Sequence, residues 1–286
     1  MRLFLSIWLV TSILVTACSG TDSSTSENKS RTLSIAGSST VLPVVDMAAK
    51  AWHITHPGLK IILNGGGSGV GINQLGEGHL DIGMASREIS RDEIRRFPQI
   101  RFVQHIIGRD AVVPVVSSEV FDSGVTALSL QQIGDIYRGK IRNWKQVGGP
   151  DRDILVVDKE KSRGTRHVFM QAVMGDKHAE APGADLVLGS NNEEQTAIAQ
   201  SDAAIGMLSL AWLNEDVKGL GIVMKDGSIV RATLSTIADG SYPISRNLNL
   251  YTRGQPQGDT AAFIQFLLGP DGQRFVEKAG YLKIRQ

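Results

Sequence analysis

Hydrophobic positions along the chain switch repeatedly between two periods. A strand pattern over 33–36 breaks at Gly37-Ser38-Ser39-Thr40 and gives way to helical spacing over 41–53, with Val41, Val44, Val45, Ala48 and Trp52 in register. A second strand over 60–63 runs into Asn64-Gly65-Gly66-Gly67-Ser68-Gly69 and a short helix over 70–76, and residues 80–84 are strand-like again. Further on, the apolar run 111–116 predicts a buried strand, 130–137 an amphipathic helix and 154–157 a strand. A helix over 165–174 follows the turn Ser162-Arg163-Gly164. Strands over 203–207 and 249–252 and helices over 260–268 and 272–279 complete the pattern, the last stopped by Gly280. Strands separated by helices predict βαβ units, hence an α/β fold with a parallel sheet.

The first residues follow a different rule. Arg2 precedes an apolar run over 3–15, interrupted only by Ser6, Thr11 and Ser12, and too short to span a membrane comfortably. It reads as the core of a signal peptide, leading through small residues into Cys18. Val15-Thr16-Ala17-Cys18 resembles the lipobox of bacterial lipoproteins, in which the cysteine is acylated and becomes the mature N-terminus; the plainer alternative is an ordinary secretory signal with a coincidental cysteine. The following polar tract, 19–31, has almost no apolar residue and is expected to be a flexible tether. A lipid, a tether and a folded body place the protein at a membrane surface outside the cytoplasm.

Composition narrows the classes without choosing one. The 286 residues are 42% hydrophobic and 21% charged, enough for about two domains with cores of their own. Thirty basic residues against 29 acidic ones leave a net charge of +1, with no sign of the concentrated basic face of a nucleic-acid binder. Cys18 is the sole cysteine, which rules out a disulfide framework within the chain.

Three loops share one design: a strand ends in small hydroxyl or glycine residues and a helix begins at once. They are Gly37-Ser38-Ser39-Thr40, Gly67-Ser68-Gly69 and Ser162-Arg163-Gly164-Thr165. A helix start leaves about four backbone N–H groups without intrahelical partners and carries roughly half a positive charge. Glycine lets an anion approach and Ser or Thr adds a hydroxyl donor, so each loop is a potential anion cradle. Any one of them also reads as an ordinary N-cap. Three converging beyond the carboxyl ends of strands in an open α/β sheet make a binding cleft.

Catalytic and nucleotide motifs fail when tested. The stretch 65–70 lacks the last glycine of G-x-G-x-x-G, and no phosphate-binding G-x-x-x-x-G-K-[ST] exists. Ser68 has Val70 where a nucleophile elbow needs glycine. His53 and His56 form the one close histidine pair, with no cysteine or acidic partner at zinc spacing, and read as a solvated helix end. Nothing implies a metal, a cofactor or a catalytic residue.

Ala36-Gly37-Ser38-Ser39-Thr40-Val41, Asp81-Ile82-Gly83-Met84-Ala85-Ser86-Arg87 and Ile136-Tyr137-Arg138-Gly139-Lys140-Ile141-Arg142-Asn143-Trp144 occur in order with three later motifs. These are Arg163-Gly164-Thr165-Arg166, Tyr242-Pro243-Ile244-Ser245-Arg246 and Phe266-Leu267-Leu268-Gly269-Pro270-Asp271-Gly272. From about residue 32 onward the ordered set resembles the phosphate-binding proteins of ABC transporters. That resemblance implies a two-lobed periplasmic-binding-protein fold with two crossovers: 32–112 and 239–286 in one lobe, 113–238 in the other. It implies inorganic phosphate as ligand, a membrane permease as partner and a monomer. Ser39 and Thr40 match the family's first phosphate loop, Ser68 the second, and Gly164 and Thr165 the helix start from the second lobe. Ser38 and Gly69 belong to the same loops.

Asp81 matches the family's acidic residue that takes a hydrogen bond from the ligand's proton. A buried carboxylate can accept from phosphate, which keeps a proton near neutral pH, whereas fully ionised sulfate would leave it unpaired at about 1–3 kcal/mol or more. Two positions depart from the family pattern. Lys159 stands where an arginine is usual, and Arg163 where a serine is usual, so the cleft's positive charge is expected to have moved to Arg163. Arg87 and Arg166 either add to that charge or hold the loops through ion pairs. The rival readings are a binder of another oxyanion, an exported phosphate-ester hydrolase, and a binding protein with a sensing role.

Overall fold

The structure, a computed structural model, describes residues 31–284. The signal peptide, Cys18 and the tether as far as residue 30 lie outside the described residues.

The first half of the chain builds β1 (Arg31–Gly37), α1 (Leu42–Thr55), β2 (Leu59–Asn64), α2 (Ser68–Glu77), β3 (Ile82–Ala85), α3 (Arg91–Arg96), β4 (Phe102–Ser117), α4 (Ser118–Asp122), β5 (Ala127–Ser129) and α5 (Leu130–Tyr137). The middle adds β6 (Leu155–Lys159), α6 (Gly164–Met174), β7 (Leu186–Leu188), α7 (Asn191–Ala199), β8 (Ala204–Ser209), β9 (Val217–Gly219), β10 (Gly221–Val223), β11 (Ile229–Val230) and α8 (Leu234–Ala238). The chain closes with β12 (Ser245–Arg253), α9 (Gly258–Leu268), α10 (Pro270–Lys278) and β13 (Leu282–Lys283).

Local chemistry explains where several of these start and stop. In α1, Val44, Val45, Ala48 and Trp52 recur at helical spacing and are the buried face, while Pro43 occupies the first turn, where its missing N–H costs nothing. Ser129 caps α5 by accepting from the Gln132 N–H, and Gln132 reaches back to the Ser129 N–H, a reciprocal capping box. Gly37 ends β1 with φ 136°, and a Cβ there would stand 2.2 Å from the Met84 carbonyl oxygen. Only glycine lets the first loop lie against β3.

The main sheet runs β2-β1-β3-β12-β4-β8-β6-β7. Its two ends are parallel, as the βαβ pattern predicts: β1 with β2 and β3, and β6 with β7 and β8. The centre is not, and here the expected parallel sheet is corrected. β12 pairs antiparallel with β3 and β4, and β4 pairs antiparallel with β8. The physical reason is traffic: β4 carries the chain from one lobe to the other and β12 carries it back, so the two lie side by side in opposite directions.

Each end of the sheet has its own core. Leu33, Ile35, Val44, Val45, Ile82, Met84, Ile107, Leu248, Phe263 and Leu267 pack in the first. Val112, Val115, Ile133, Tyr137, Trp144, Phe169, Ile205, Met207, Tyr242 and Ile244 pack in the second. The chain passes between them within β4, between Ile107 and Ala111, and returns between Ile244 and Leu248. In the second core the polar atoms of two large aromatics are satisfied: Tyr137 Oη donates to the Val157 carbonyl at 2.9 Å and Trp144 Nε1 to the Ala203 carbonyl at 2.9 Å. No helix among the described residues is long and apolar enough to cross a membrane.

Candidate functional site

Parallel strands bring their carboxyl ends to one edge, and three of those ends meet across the line between the two cores. The loop after β1, the start of α2 and the start of α6 enclose a small polar cavity. Ser38, Ser39, Thr40, Gly67, Ser68, Ser86, Lys159, Arg163, Gly164, Thr165, Gly189 and Asn191 line it. Within that lining there is no aspartate, glutamate, histidine or cysteine.

The packing is tight enough to require glycine. A Cβ on Gly164 would stand 2.3 Å from Ser68 Oγ and 2.7 Å from Ser86 Oγ, and one on Gly67 would meet Arg163 Cδ at 2.8 Å. Hydrogen bonds cross between the lobes at the same place. Asn191 Nδ2 donates to Thr40 Oγ1 at 3.2 Å, and the Gly69 N–H to the Ser162 carbonyl at 2.9 Å. Arg246 Nη1 donates to Thr165 Oγ1 at 2.9 Å. At the start of α6, Arg163 is the N-cap without a side-chain cap, so the first N–H groups of that helix remain available to a ligand.

Positive charge near the cavity is balanced pair by pair. Lys159 is 2% exposed; its ammonium pairs with Glu194 and also donates to the Ser190 carbonyl at 3.2 Å. Burial holds the Lys159 ammonium below its usual pKa, opposed by the Glu194 carboxylate, and burial likewise pushes Glu194 up. Arg163 donates through Nε and Nη2 to Glu160 at 2.8 and 2.6 Å. Arg246 sits just beneath the lining, with Nε and Nη2 on Asp110 Oδ2 at 3.0 and 2.7 Å.

Four expected site residues are not in the lining. Asp81 precedes β3, at the opposite end of that strand from Ser86; at about 3.3 Å per residue that is on the order of 15 Å away. It is exposed, and its carboxylate accepts from the Ser34 N–H and hydroxyl, both at 2.7 Å. The expected contact between Asp81 and the ligand is therefore corrected: the residue pins the start of β3 to β1. Arg87 turns from the cavity to a two-pronged pair with Glu93, at 2.8 and 2.7 Å. Arg166 points into the second lobe, where Asp158 accepts from its Nε at 3.0 Å and the Ala179 carbonyl from its Nη2 at 2.9 Å. Of the two readings open for these arginines, the loop-holding one is what the structure shows. Gly69 contributes its backbone bond to Ser162 rather than a place in the lining.

Comparison with known proteins gives this geometry a family. Residues 22–271 match the PBP superfamily domain. The Bacillus subtilis phosphate-binding protein PstS is 34% identical over 269 residues, covering 93% of this chain and 85% of that protein. The chain belongs to the PstS family of phosphate-binding proteins. A proposed phosphate ABC transporter substrate-binding protein from Clostridium perfringens, solved with bound phosphate, is 31% identical with a TM-score of 0.79, covering 89% of this chain and 100% of that one. An ABC-type phosphate transport receptor from Vibrio cholerae is 30% identical with a TM-score of 0.71, covering 88% and 100%.

Sequence reading of this PstS-family chain missed Ser86, Gly189, Asn191 and Arg246. Asn191 belongs to a fourth loop of the same design, Gly189-Ser190-Asn191, ahead of α7, with Ser190 and Glu193 forming a capping box. The strand feeding it, β7, has only three residues and none of them is buried, so no strand pattern announced it. Ser86 and Arg246 both stand inside family motifs, but nothing in spacing says that they meet. Among the described residues, no group of three or more His, Cys, Asp or Glu could hold a metal.

A pH prediction follows from His167, on α6. Its Nε2 bonds the Lys161 carbonyl at 2.9 Å, and burial, aided by Arg87, pulls its pKa from 6.5 down to about 4. A depressed histidine pKa means that the unfolded chain takes up the proton first. Stability is then full above about pH 6.5 and falls as pH drops from there towards 4. Urea midpoints measured across that range are expected to decline for the wild type and to flatten for His167→Gln, whose amide can still reach the carbonyl. Identical slopes would contradict the assignment.

Proposed function

We propose that this chain is a non-enzymatic carrier that takes inorganic phosphate into the cavity between its lobes and delivers it to the permease of an ABC importer. The observation that carries the reading is the convergence of hydroxyls and helix starts from both lobes on one cavity, with direct bonds across it. Relatives named for phosphate binding, one solved with phosphate bound, supply the ligand. The first lobe runs to the crossover in β4 between Ile107 and Ala111 and resumes after the crossover in β12 between Ile244 and Leu248, rather than at 112 and 239, with the second lobe between; opening and closing flexes the paired crossover strands β4 and β12, and the closed form docks on the permease as a monomer. A hydrolase needs a nucleophile with a base or a metal, and the lining supports neither: Ser68 Oγ accepts from the Ser86 N–H, and no histidine or carboxylate faces it.

In this reading Ser38, Ser39, Thr40, Ser68, Thr165 and the α6 N–H groups hold the anion, and Arg163 is its principal cation with Lys159 secondary. Arg163 lies across Gly67 at the cavity wall, and a guanidinium can grip an oxyanion through two parallel bonds where an ammonium is a point charge. Titration calorimetry is expected to show one phosphate per chain. Arg163→Ala should weaken it by about ten- to a hundredfold, corresponding to about 1.5–3 kcal/mol for a charged hydrogen bond, and Lys159→Ala by less. No heat with phosphate defeats the function; a near-native Arg163→Ala defeats the assignment of the cation.

The carrier works outside the cytoplasm, held to the membrane by a lipid on Cys18, because the polar tract behind that cysteine has no membrane affinity of its own. Expressed in a bacterium, Cys18→Ala is expected in the soluble fraction and the wild type in the membrane pellet. A variant that still sediments with membranes contradicts the anchor.

A further inference from the structure

A second cavity, of about 390 Å³, opens where the two lobes and the crossover meet. Its volume lies in the range of small-molecule sites, about 300–1,000 Å³. The first lobe contributes the turn over 87–90 after β3, the second contributes α6 and Lys177, and the crossover contributes the start of β12. It shares no lining residue with the anion cavity.

Two polar atoms of this wall are buried without a hydrogen-bond partner among the described residues, Arg87 Nε and His167 Nδ1. Arg87 is 7% exposed and His167 9%. The rest of each side chain is committed. Arg87 gives Nη1 and Nη2 to Glu93 at 2.8 and 2.7 Å, which also balances its charge. His167 Nε2 bonds the Lys161 carbonyl at 2.9 Å, and a carbonyl only accepts, so Nε2 carries a proton. With a pKa of about 4 the ring is neutral near neutral pH, which leaves Nδ1 a bare acceptor. The cavity thus offers one free donor from the first lobe and one free acceptor from the second. Buried polar atoms are nearly always paired, so two unpaired ones in one cavity call for a ligand that satisfies both.

That requirement selects a ligand class. A carboxylate can accept from Arg87 Nε–H, but it sets a lone pair against the lone pair of His167 Nδ1. Glu88, in the same wall, adds a negative charge, held by Gln104 Nε2 and Tyr251 Oη. A primary carboxamide does both jobs, its oxygen accepting from Arg87 and its NH2 donating to His167. Ile89, Val168, Ala172, Pro243 and Ile244 supply apolar walls for the body of such a molecule. Lys177 is the lining group that would favour a carboxylate instead.

We propose that this cavity is a second binding site, for small uncharged carboxamides with an apolar body, whose occupant ties the turn after β3 to α6 and so favours the arrangement of lobes that encloses the anion cavity. The site stands apart from the phosphate reading, which enters only through the coupling.

The test is an isoleucine-methyl NMR titration of the purified protein near neutral pH, without phosphate, with benzamide and separately with benzoate. Benzamide is expected to shift the Ile89 and Ile244 methyl signals. It should bind about tenfold or more tighter than benzoate, which leaves His167 Nδ1 unpaired. His167→Phe keeps a ring but loses the acceptor, and should bring the two probes to within about twofold of each other. The wild-type ratio decides the class even if that variant misfolds. By linkage, saturating benzamide should raise phosphate affinity by about fivefold or more. Benzoate binding as tightly as benzamide, or Ile89 and Ile244 unmoved, overturns the site. Silence from both probes does the same, the two atoms then holding solvent alone. Benzamide bound with phosphate affinity unchanged overturns the tie between lobes. No phosphate binding beside bound benzamide defeats the carrier reading, and the coupling with it, while the carboxamide site stands.

Discussion

The ion pair between Arg246 and Asp110 is the constraint on which the rest of the architecture turns. The two residues stand directly opposite each other in the antiparallel pairing of β12 with β4, the strands that carry the chain between lobes. Both side chains are almost completely buried. Losing one partner from such a pair leaves a buried charge uncompensated, at a cost of about 3–5 kcal/mol. The pair thus fixes the register of the crossover where the first core gives way to the second, and the unused side of the same guanidinium organises the floor of the cavity. Fold and site share one interaction.

The cavity's charge follows from its burial. Three cations, Lys159, Arg163 and Arg246, each hold a carboxylate, so no unpaired positive charge is left among them. A bare buried ammonium or guanidinium would be costly, and the pairing removes that cost. On the proposed reading, fixed dipoles, the hydroxyls and the helix starts, add to the pull of Arg163 and need little reorganisation on binding. Burial depresses the Lys159 pKa, and the Glu194 carboxylate beside it opposes that shift.

Much of the fold was legible because its elements are locally consistent. The predicted helix over 130–137 coincides with α5, and the apolar run 111–116 is the buried half of β4. The first half of β4 was not legible, because Gln104 and His105 interrupt its apolar pattern where the strand edges an open face. The antiparallel centre was hidden for a different reason: direction in a sheet is set by long-range traffic between lobes, and no local pattern records it. Among site residues, hydroxyls at strand-to-helix turns could be found because helix starts advertise themselves. The error at Asp81 has another root: its role was carried over from the family resemblance by position, and only the sheet shows that this end of β3 faces away from the cavity. Arg87 and Arg166 were ambiguous in the sequence because an arginine near an anion loop and an arginine holding that loop differ only in the partner, here Glu93 and Asp158.

The account stands on one cavity assembled from both lobes around an anion. A crystal structure of the phosphate-loaded protein tests this most directly. The account predicts the anion enclosed between Thr40 and Ser68 of one lobe and Gly164 and Thr165 of the other, with oxygens within hydrogen-bond distance of groups from each. An anion held by a single lobe, or seated away from these four residues, would contradict it.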